Sequence, residues 1–385
     1  MPARSGRSQA AVAAVALGVT ALSAAPPPAA GASPCAAPAG VYREGPGWAQ
    51  RLTAPERIWP VTEGTGQLVA VVGTGVDAGN PQFAPGQVVS GSDSGDCDGR
   101  GTIAAGIVAA RPDAATTFTG MAPGVRVLAV RYTQATDGSA ASEPDPDALA
   151  AAIGRSVAAG ATVVLVVVPA PRSSPALQRA VSDALARGVS VVAPAVGDKP
   201  ESRSYPAGLP GVVAVAATDQ TGTPVQGESG DHLSLAAPGT GLVSTSAGTR
   251  GQLGHRWGVD NPAFAAAYVA GAVALVRAYR PALDPAQVLD RLTATASRPA
   301  SGGRDPRLGW GVLDVYRAVT AEVVGEASAR AGASPTTVEP AAGPATPPPR
   351  DRLPGALAVT GVLLAGAAVV GVAVIRRGRR TSPGR

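Results

Sequence analysis

The sequence predicts an α/β domain built on a largely parallel central sheet, followed near its C-terminal end by one membrane-spanning helix. Three observations carry this. Short apolar runs suited to buried strands alternate with helical patterns over most of the 385 residues, and strands separated by helices imply parallel pairing with both sheet faces covered. An Ala/Pro/Thr/Gly-rich stretch then ends the alternation. Beyond it lies an apolar segment without a charge.

The elements follow in chain order. Residues 1–32 read as a secretory signal peptide: Arg4 and Arg7 precede an apolar run from about Ala10 to Ala25, and Ala30-Gly31-Ala32 supplies small residues for cleavage before Ser33. Residues 33–60 are expected to wrap the domain as an N-terminal extension, irregular from Val41 to Trp59, with Trp48 and Trp59 as anchors. Residues 61–324 form the main domain. Its strands are expected at Leu68–Val72, Val127–Arg131, Val163–Val168, Val189–Ala193 and Val212–Ala217. Helices are expected near Gly101–Ala110, Asp147–Ala159 and Pro175–Arg187, and then from Pro262 to about Tyr279. A further helix begins at Asp284-Pro285, an N-cap followed by proline at the first helical position. Residues 325–352 read as an extended linker. Leu353–Ile375 is uncharged and as a helix spans roughly 34 Å, enough to cross a bilayer core. The tail 376–385 opens with Arg-Arg-Gly-Arg-Arg. The positive-inside tendency keeps it in the cytoplasm and leaves the domain extracytoplasmic, so the expected location is the cell membrane, in a single pass.

Charge placement excludes one class of function. The chain has 32 basic and 27 acidic residues, but seven arginines lie in the leader and tail: Arg4, Arg7, Arg376, Arg377, Arg379, Arg380 and Arg385. Without them 25 basic residues face 27 acidic ones, so the body has no basic excess with which to hold nucleic acid. The two cysteines, Cys35 and Cys97, are expected to pair in an exported chain, tying the mature N-terminus to the loop before Arg100. Nothing in the sequence assigns a metal or a cofactor.

Three segments carry the site. They are Leu68-Val-Ala-Val-Val-Gly-Thr-Gly-Val-Asp77, Asp96-Cys-Asp-Gly-Arg-Gly-Thr-Ile-Ala-Ala-Gly-Ile-Val-Ala-Ala110 and Asn261-Pro-Ala-Phe-Ala-Ala-Ala-Tyr-Val-Ala-Gly-Ala-Val-Ala-Leu-Val276. In this order, on an alternating α/β chain, they resemble the subtilases, the subtilisin-like serine proteases. The resemblance runs from about Cys35 to Val319 and implies a subtilisin-like three-layer fold. Trp48-Ala-Gln-Arg-Leu52, Ala54-Pro-Glu-Arg-Ile-Trp-Pro60 and Asp96-Cys-Asp-Gly99 are further similar to the mycosins, membrane-anchored subtilases associated with type VII secretion in actinobacteria. The linker, the anchor and the cysteine pair fit that type, although a further cysteine pair often found in mycosins is missing.

The resemblance implies an Asp–His–Ser triad and an Asn that donates to the oxyanion, the arrangement for which subtilisin is itself a standard example. Each position departs from that pattern. Gly73 stands where the Asp before Thr-Gly is expected, and glycine cannot orient an imidazole. Asp77 is four residues too far along to replace it. Arg100 stands in the position of the His, and a guanidinium with a pKa above about 12 is no general base near neutral pH. The histidines, His232 and His255, lie outside these motifs and read as surface residues. Ala263 stands in the position of the Ser and has no oxygen with which to form an acyl-enzyme. Asp260 or Asn261 can instead cap a helix whose first turn holds Pro262. Asp198 stands in the position of the oxyanion Asn, and an ionised carboxylate there repels developing negative charge. An Arg100–Asp198 ion pair is expected in the vacated cleft, with Asp96 and Asp98 as rival partners for Arg100. Pro169 and Pro171 follow the apolar run 163–168 and remove N–H groups from the strand that lines the cleft in subtilases.

The expected function is therefore that of a catalytically inactive mycosin-like subtilase. It would act as an extracytoplasmic scaffold or stabilising subunit among the membrane proteins of a type VII secretion complex. Two alternatives stand beside it: a serine-type endopeptidase, the role implied by the resemblance alone, and a module that binds extended peptide or inhibits.

Overall fold

The computed structural model describes residues 35–90, 95–134, 143–195, 203–225 and 227–323. The leader, Asp198, the linker, the apolar segment 353–375 and the basic tail lie outside the described residues.

Seven strands form one parallel sheet in the order β2-β3-β1-β4-β5-β6-β7. They are β1 (Leu68–Gly73), β2 (Val88–Val89), β3 (Arg126–Arg131), β4 (Val163–Val166), β5 (Ser190–Pro194), β6 (Val213–Thr218) and β7 (Leu235–Pro238). In the central pairings β1 aligns Val72 with Val130 of β3 and with Val166 of β4. Both faces of β1 are buried, which is why it reads as an unbroken Leu-Val-Ala-Val-Val run and not as an alternating one. The first connections run from β1 to one edge of the sheet and the later ones to the other. β1 therefore borders the point where the winding reverses, the place at which open α/β sheets hold their sites.

Side-chain alternation along β1 sorts the core into two layers. Val69 and Val71 face α2 (Arg100–Ala109) and α5 (Ala265–Tyr279), whereas Ala70 and Val72 face α3 (Pro146–Ala158) and α4 (Pro175–Ala186). The three-layer arrangement expected from the motifs is thus present. Proline opens α3 and α4, and Asp145 and Ser174 cap them through their side chains. Asp284 and Gln287 form a full capping box on α6 (Pro285–Thr295). The short α7 (Val315–Thr320) packs against α5 and α6.

α5 is buried from Ala265 through Val276. Its small residues let neighbours approach closely: a β-carbon added at Gly271 would fall 2.6 Å from Cβ of Met121. Together with the 3-10 turn Pro262–Phe264, α5 is the one described helix long and apolar enough to cross a membrane, and its burial in the domain makes it a core helix. α2 is likewise buried throughout. A hairpin of β8 (Leu242–Thr245) and β9 (His255–Val259) covers α2. Ser244 and Thr245 on β8 donate their hydroxyls to the carbonyls of Ile103 and Thr102.

The N-terminal extension is more ordered than the sequence suggested. It contains α1 (Trp48–Thr53) and a 3-10 turn at Pro55–Arg57. Trp48 and Trp59 anchor it as expected, their indole N–H groups donating to the carbonyls of Thr240 and Met121. The Cys35–Cys97 disulfide is present. Two other expectations are corrected. β4 stops at Val166, because Pro169 and Pro171 cannot continue a central ladder. His255 is fully buried: it donates from Nε2 to Gln82 Oε1, 2.7 Å away, and accepts at Nδ1 from the Tyr42 amide.

Candidate functional site

The C-terminal end of β1 and the N-terminal end of α2 meet at Thr74. The amide of Gly101 donates to Thr74 Oγ1 at 3.1 Å, and the α-carbon of Gly101 lies so close to the Gly75 carbonyl that no side chain fits at 101. The 3-10 turn holding Ala263 packs on α2 and on β5 and β6. The fold therefore carries Gly73, Arg100 and Ala263 to one end of the sheet, as the order of the three motifs predicts.

At Gly73 the space is tight. An added β-carbon would stand 3.2 Å from Cβ of Val167 and 3.7 Å from a methyl of Val168. The Gly73 carbonyl is used as well, accepting from the amides of Tyr132 and Thr133 as the chain leaves β3. Asp77, the nearest acid in sequence, has other work. Its oxygens accept from the amides of Gly79 and Gly248, and its own amide donates to Thr102 Oγ1.

Arg100 is buried and lies on Asp98. Nε meets Oδ1 at 2.7 Å and Nη2 meets Oδ2 at 3.0 Å, a two-point fork in which both side chains are about 6% exposed. The Arg100 amide also donates to Asp98. One carboxylate thus offsets a cation held at a helix N-terminus and accepts from that terminus, both favourable where the helix dipole is positive. Asp96, the other rival partner, is turned inward. It accepts from the amides of Gly99 and Thr102 and from the Thr102 hydroxyl. Burial raises its pKa, partly offset by these bonds and by one from Thr74. Asp198, the partner first expected for Arg100, lies outside the described residues.

At Ala263 the choice of cap is resolved. Asn261 Oδ1 accepts from the Ala263 amide at 2.9 Å, while Asp260 accepts from Gly241. Ala263 itself is buried and brings only a methyl group. The histidines are engaged elsewhere. His255 is held as described above, and burial lowers its pKa to about 4. His232 Nε2 lies 2.8 Å from Glu228, whose carboxyl is raised by burial although His232 and Ser204 counteract the shift.

The edge beside the site is closed in a way the sequence did not reveal. Among residues 169–171 the one backbone N–H belongs to Ala170, and it donates to the Tyr205 carbonyl at 2.8 Å. The Tyr205 amide returns the bond to the Ala170 carbonyl, and the Tyr132 hydroxyl takes the Val168 carbonyl. An added peptide strand needs free N–H and C=O groups in alternation; here Pro169 and Pro171 lack an N–H, and the Ala170 N–H and the Val168 and Ala170 carbonyls are already engaged. Tyr132 and Tyr205 are far away in sequence and belong to no motif, so only the fold brings them here. Among the described residues no group of three or more His, Cys, Asp or Glu could hold a metal.

A parallel seven-stranded sheet, a buried glycine-rich helix after β1 and a long buried helix behind the third motif define a subtilase. The subtilase family profile matches residues 64–311, and the chain belongs to that family. Among its relatives it is similar to Mycosin-4 of Mycobacterium tuberculosis (strain ATCC 25618 / H37Rv), with 30% identity over 87% of this chain and 82% of the relative. Among solved structures it resembles the serine protease MycP1, described as an essential component of the type VII (ESX-1) secretion system. The identity is 30% and the TM-score 0.61, over 74% of this chain and 92% of that one. It also resembles a chain in the periplasmic assembly from the ESX-5 inner membrane complex, with 25% identity and a TM-score of 0.63, over 76% of this chain and 88% of that one.

Proposed function

We propose that this subtilase is catalytically inactive and serves as an extracytoplasmic scaffold or stabilising subunit of a type VII secretion membrane complex. The observation that carries the reading is the chemistry at the three motif positions. Gly73, Arg100 and Ala263 take the Asp, His and Ser positions of the triad, and Asp198 takes that of the oxyanion Asn. Ala263 offers no nucleophile, and Arg100 is held by Asp98 and stays protonated, so neither acyl transfer nor general-base catalysis has an agent. Asp198 is proposed as a second carboxylate for Arg100.

The location follows from the kind of relative and from the ends of the chain. Solved relatives are described as part of ESX-1 and of an ESX-5 inner membrane assembly. Residues 1–32 are proposed as leader, 33–60 as the extension, 61–324 as the peptidase-like domain and 325–352 as the linker. Residues 353–375 are proposed as the membrane anchor and 376–385 as the cytoplasmic tail. Capture of extended peptide by the cleft is disfavoured by the N–H groups that Pro169 and Pro171 lack and by the engaged N–H of Ala170.

The test is affinity purification from native membranes. Channel proteins of a type VII system should co-purify with the full chain and be lost when residues 353–385 are deleted. Recovery of the chain free of such proteins would reject the scaffold role.

A further inference from the structure

We propose that the Cys35–Cys97 disulfide is a redox-cleavable latch on a strap, residues 35–38, which covers a groove beside Arg100. The strap lies between two loops whose glycines are shaped to receive it. A β-carbon added at Gly99 would stand 2.7 Å from Cβ of Ala36, and one at Gly248 would stand 2.7 Å from the Ala36 carbonyl oxygen. One at Gly254 would stand 2.9 Å from Cβ of Pro38. Gly99 and Gly248 have φ of +91° and +75°, so both the backbone shape and the close approach favour glycine there.

The groove does not need the strap to keep its shape. Asp96 holds the Gly99 amide and Asp77 holds the Gly248 amide, so each wall is fixed from behind. The strap itself is weakly held. Among the described residues its backbone makes one hydrogen bond, from the Ala36 amide to the Cys97 carbonyl, and the disulfide supplies the other tie. Firm attachment starts just beyond. Ala39 donates to the His255 carbonyl, His255 donates to the Gly40 carbonyl, and Tyr42 donates to the His255 ring. Opening the disulfide therefore releases residues 35–38 and stops at Ala39.

The latch is accessible. Cys35 and Cys97 are both exposed, although Asp96, Gly99 and Arg100 around them are buried. Both cysteines line a cavity of about 440 Å³ that also holds Asp77, Asp98 and Arg131. The reductant is a dithiol. Its thiolate attacks one sulfur, the protein S–S bond breaks and a mixed disulfide forms; its second thiol then displaces the remaining protein sulfur. The protein gains two electrons and two protons as two thiols, and the reductant leaves as a disulfide.

The experiment titrates the full chain, purified in detergent, with dithiothreitol, traps thiols with iodoacetamide and follows amide hydrogen exchange. Two adducts should appear, at Cys35 and Cys97, while circular dichroism stays native. Exchange at Ala36 should rise at least tenfold, and Ala39–Tyr42 should keep their protection. The Cys35→Ser/Cys97→Ser variant should show the same pattern without reductant. The proposal is overturned if adducts form only once the domain unfolds. It is equally overturned if reduction, or the double variant, leaves Ala36 as protected as before, or strips protection from Ala39–Tyr42 as well.

Discussion

Replacing His255 with glutamine should remove a defined part of the protein's acid sensitivity. His255 is fully buried, with one ring nitrogen accepting from Tyr42 and the other donating to Gln82. A second proton would have to enter at the nitrogen that already accepts an N–H. Burial lowers the pKa from 6.5 to about 4, with Asp113 opposing the shift. The unfolded chain therefore binds the extra proton between pH 6.5 and 4 and the folded chain does not. Stability from this group is fully present above pH 6.5 and is lost as pH falls through that window. A displacement of this size corresponds to about 3 kcal/mol in full, of which about 2 kcal/mol is lost by pH 5. The buried carboxyls of Asp96 and Glu228 act in the opposite direction, since their raised pKa values favour the folded state as pH falls. The difference between wild type and His255→Gln isolates the histidine. Glutamine supplies a donor and an acceptor but does not titrate. Urea unfolding at pH 7 and pH 5 should show wild type losing about 2 kcal/mol more than the variant between the two. Equal pH dependence in both proteins would refute the reasoning.

Three further outcomes follow from the site. Replacing Gly73, Arg100, Asp198 and Ala263 with Asp, His, Asn and Ser should not restore peptidase turnover in a casein assay, because Val167 crowds position 73 and residues 169–171 have no N–H to offer a substrate. Asp98→Asn should weaken the buried two-point fork on Arg100 and lower stability in denaturant unfolding by more than the ~0.2–1 kcal/mol of an exposed ion pair. Arg291→Met should loosen α7, since the buried Arg291 donates to the carbonyls of Ala318, Val319 and Ala321; amide exchange across 315–321 should rise while β1 and β4 stay protected.

Much of this architecture was legible because buried parallel strands and small-residue helices leave strong local patterns. Val-Ala-Val-Val in β1 and the alanine-rich run of α5 read correctly to within a residue or two. β8 and β9 did not. They are short and sit among Gly, Pro and Ser, and β9 carries exposed Arg256 and Trp257 at positions where a buried strand would be apolar. The proposed losses at 73, 100 and 263 rest on motif glycines that persist around those positions. The contacts made at these positions were not visible. Asp98 was one of three candidate partners for Arg100, and the bidentate geometry it makes exists only once α2 begins at residue 100. The burial of His255 was hidden for a similar reason: its partners, Tyr42 and Gln82, are 213 and 173 residues away.

The central claim is that the protein keeps the subtilase fold without its chemistry. Labelling with a fluorophosphonate probe tests it most directly, with a functional subtilase as positive control and intact-mass readout. The predicted result is complete labelling of the control and no adduct on this chain at any pH from 5 to 9. A stoichiometric adduct on any serine of the folded domain, abolished by unfolding, would contradict the account.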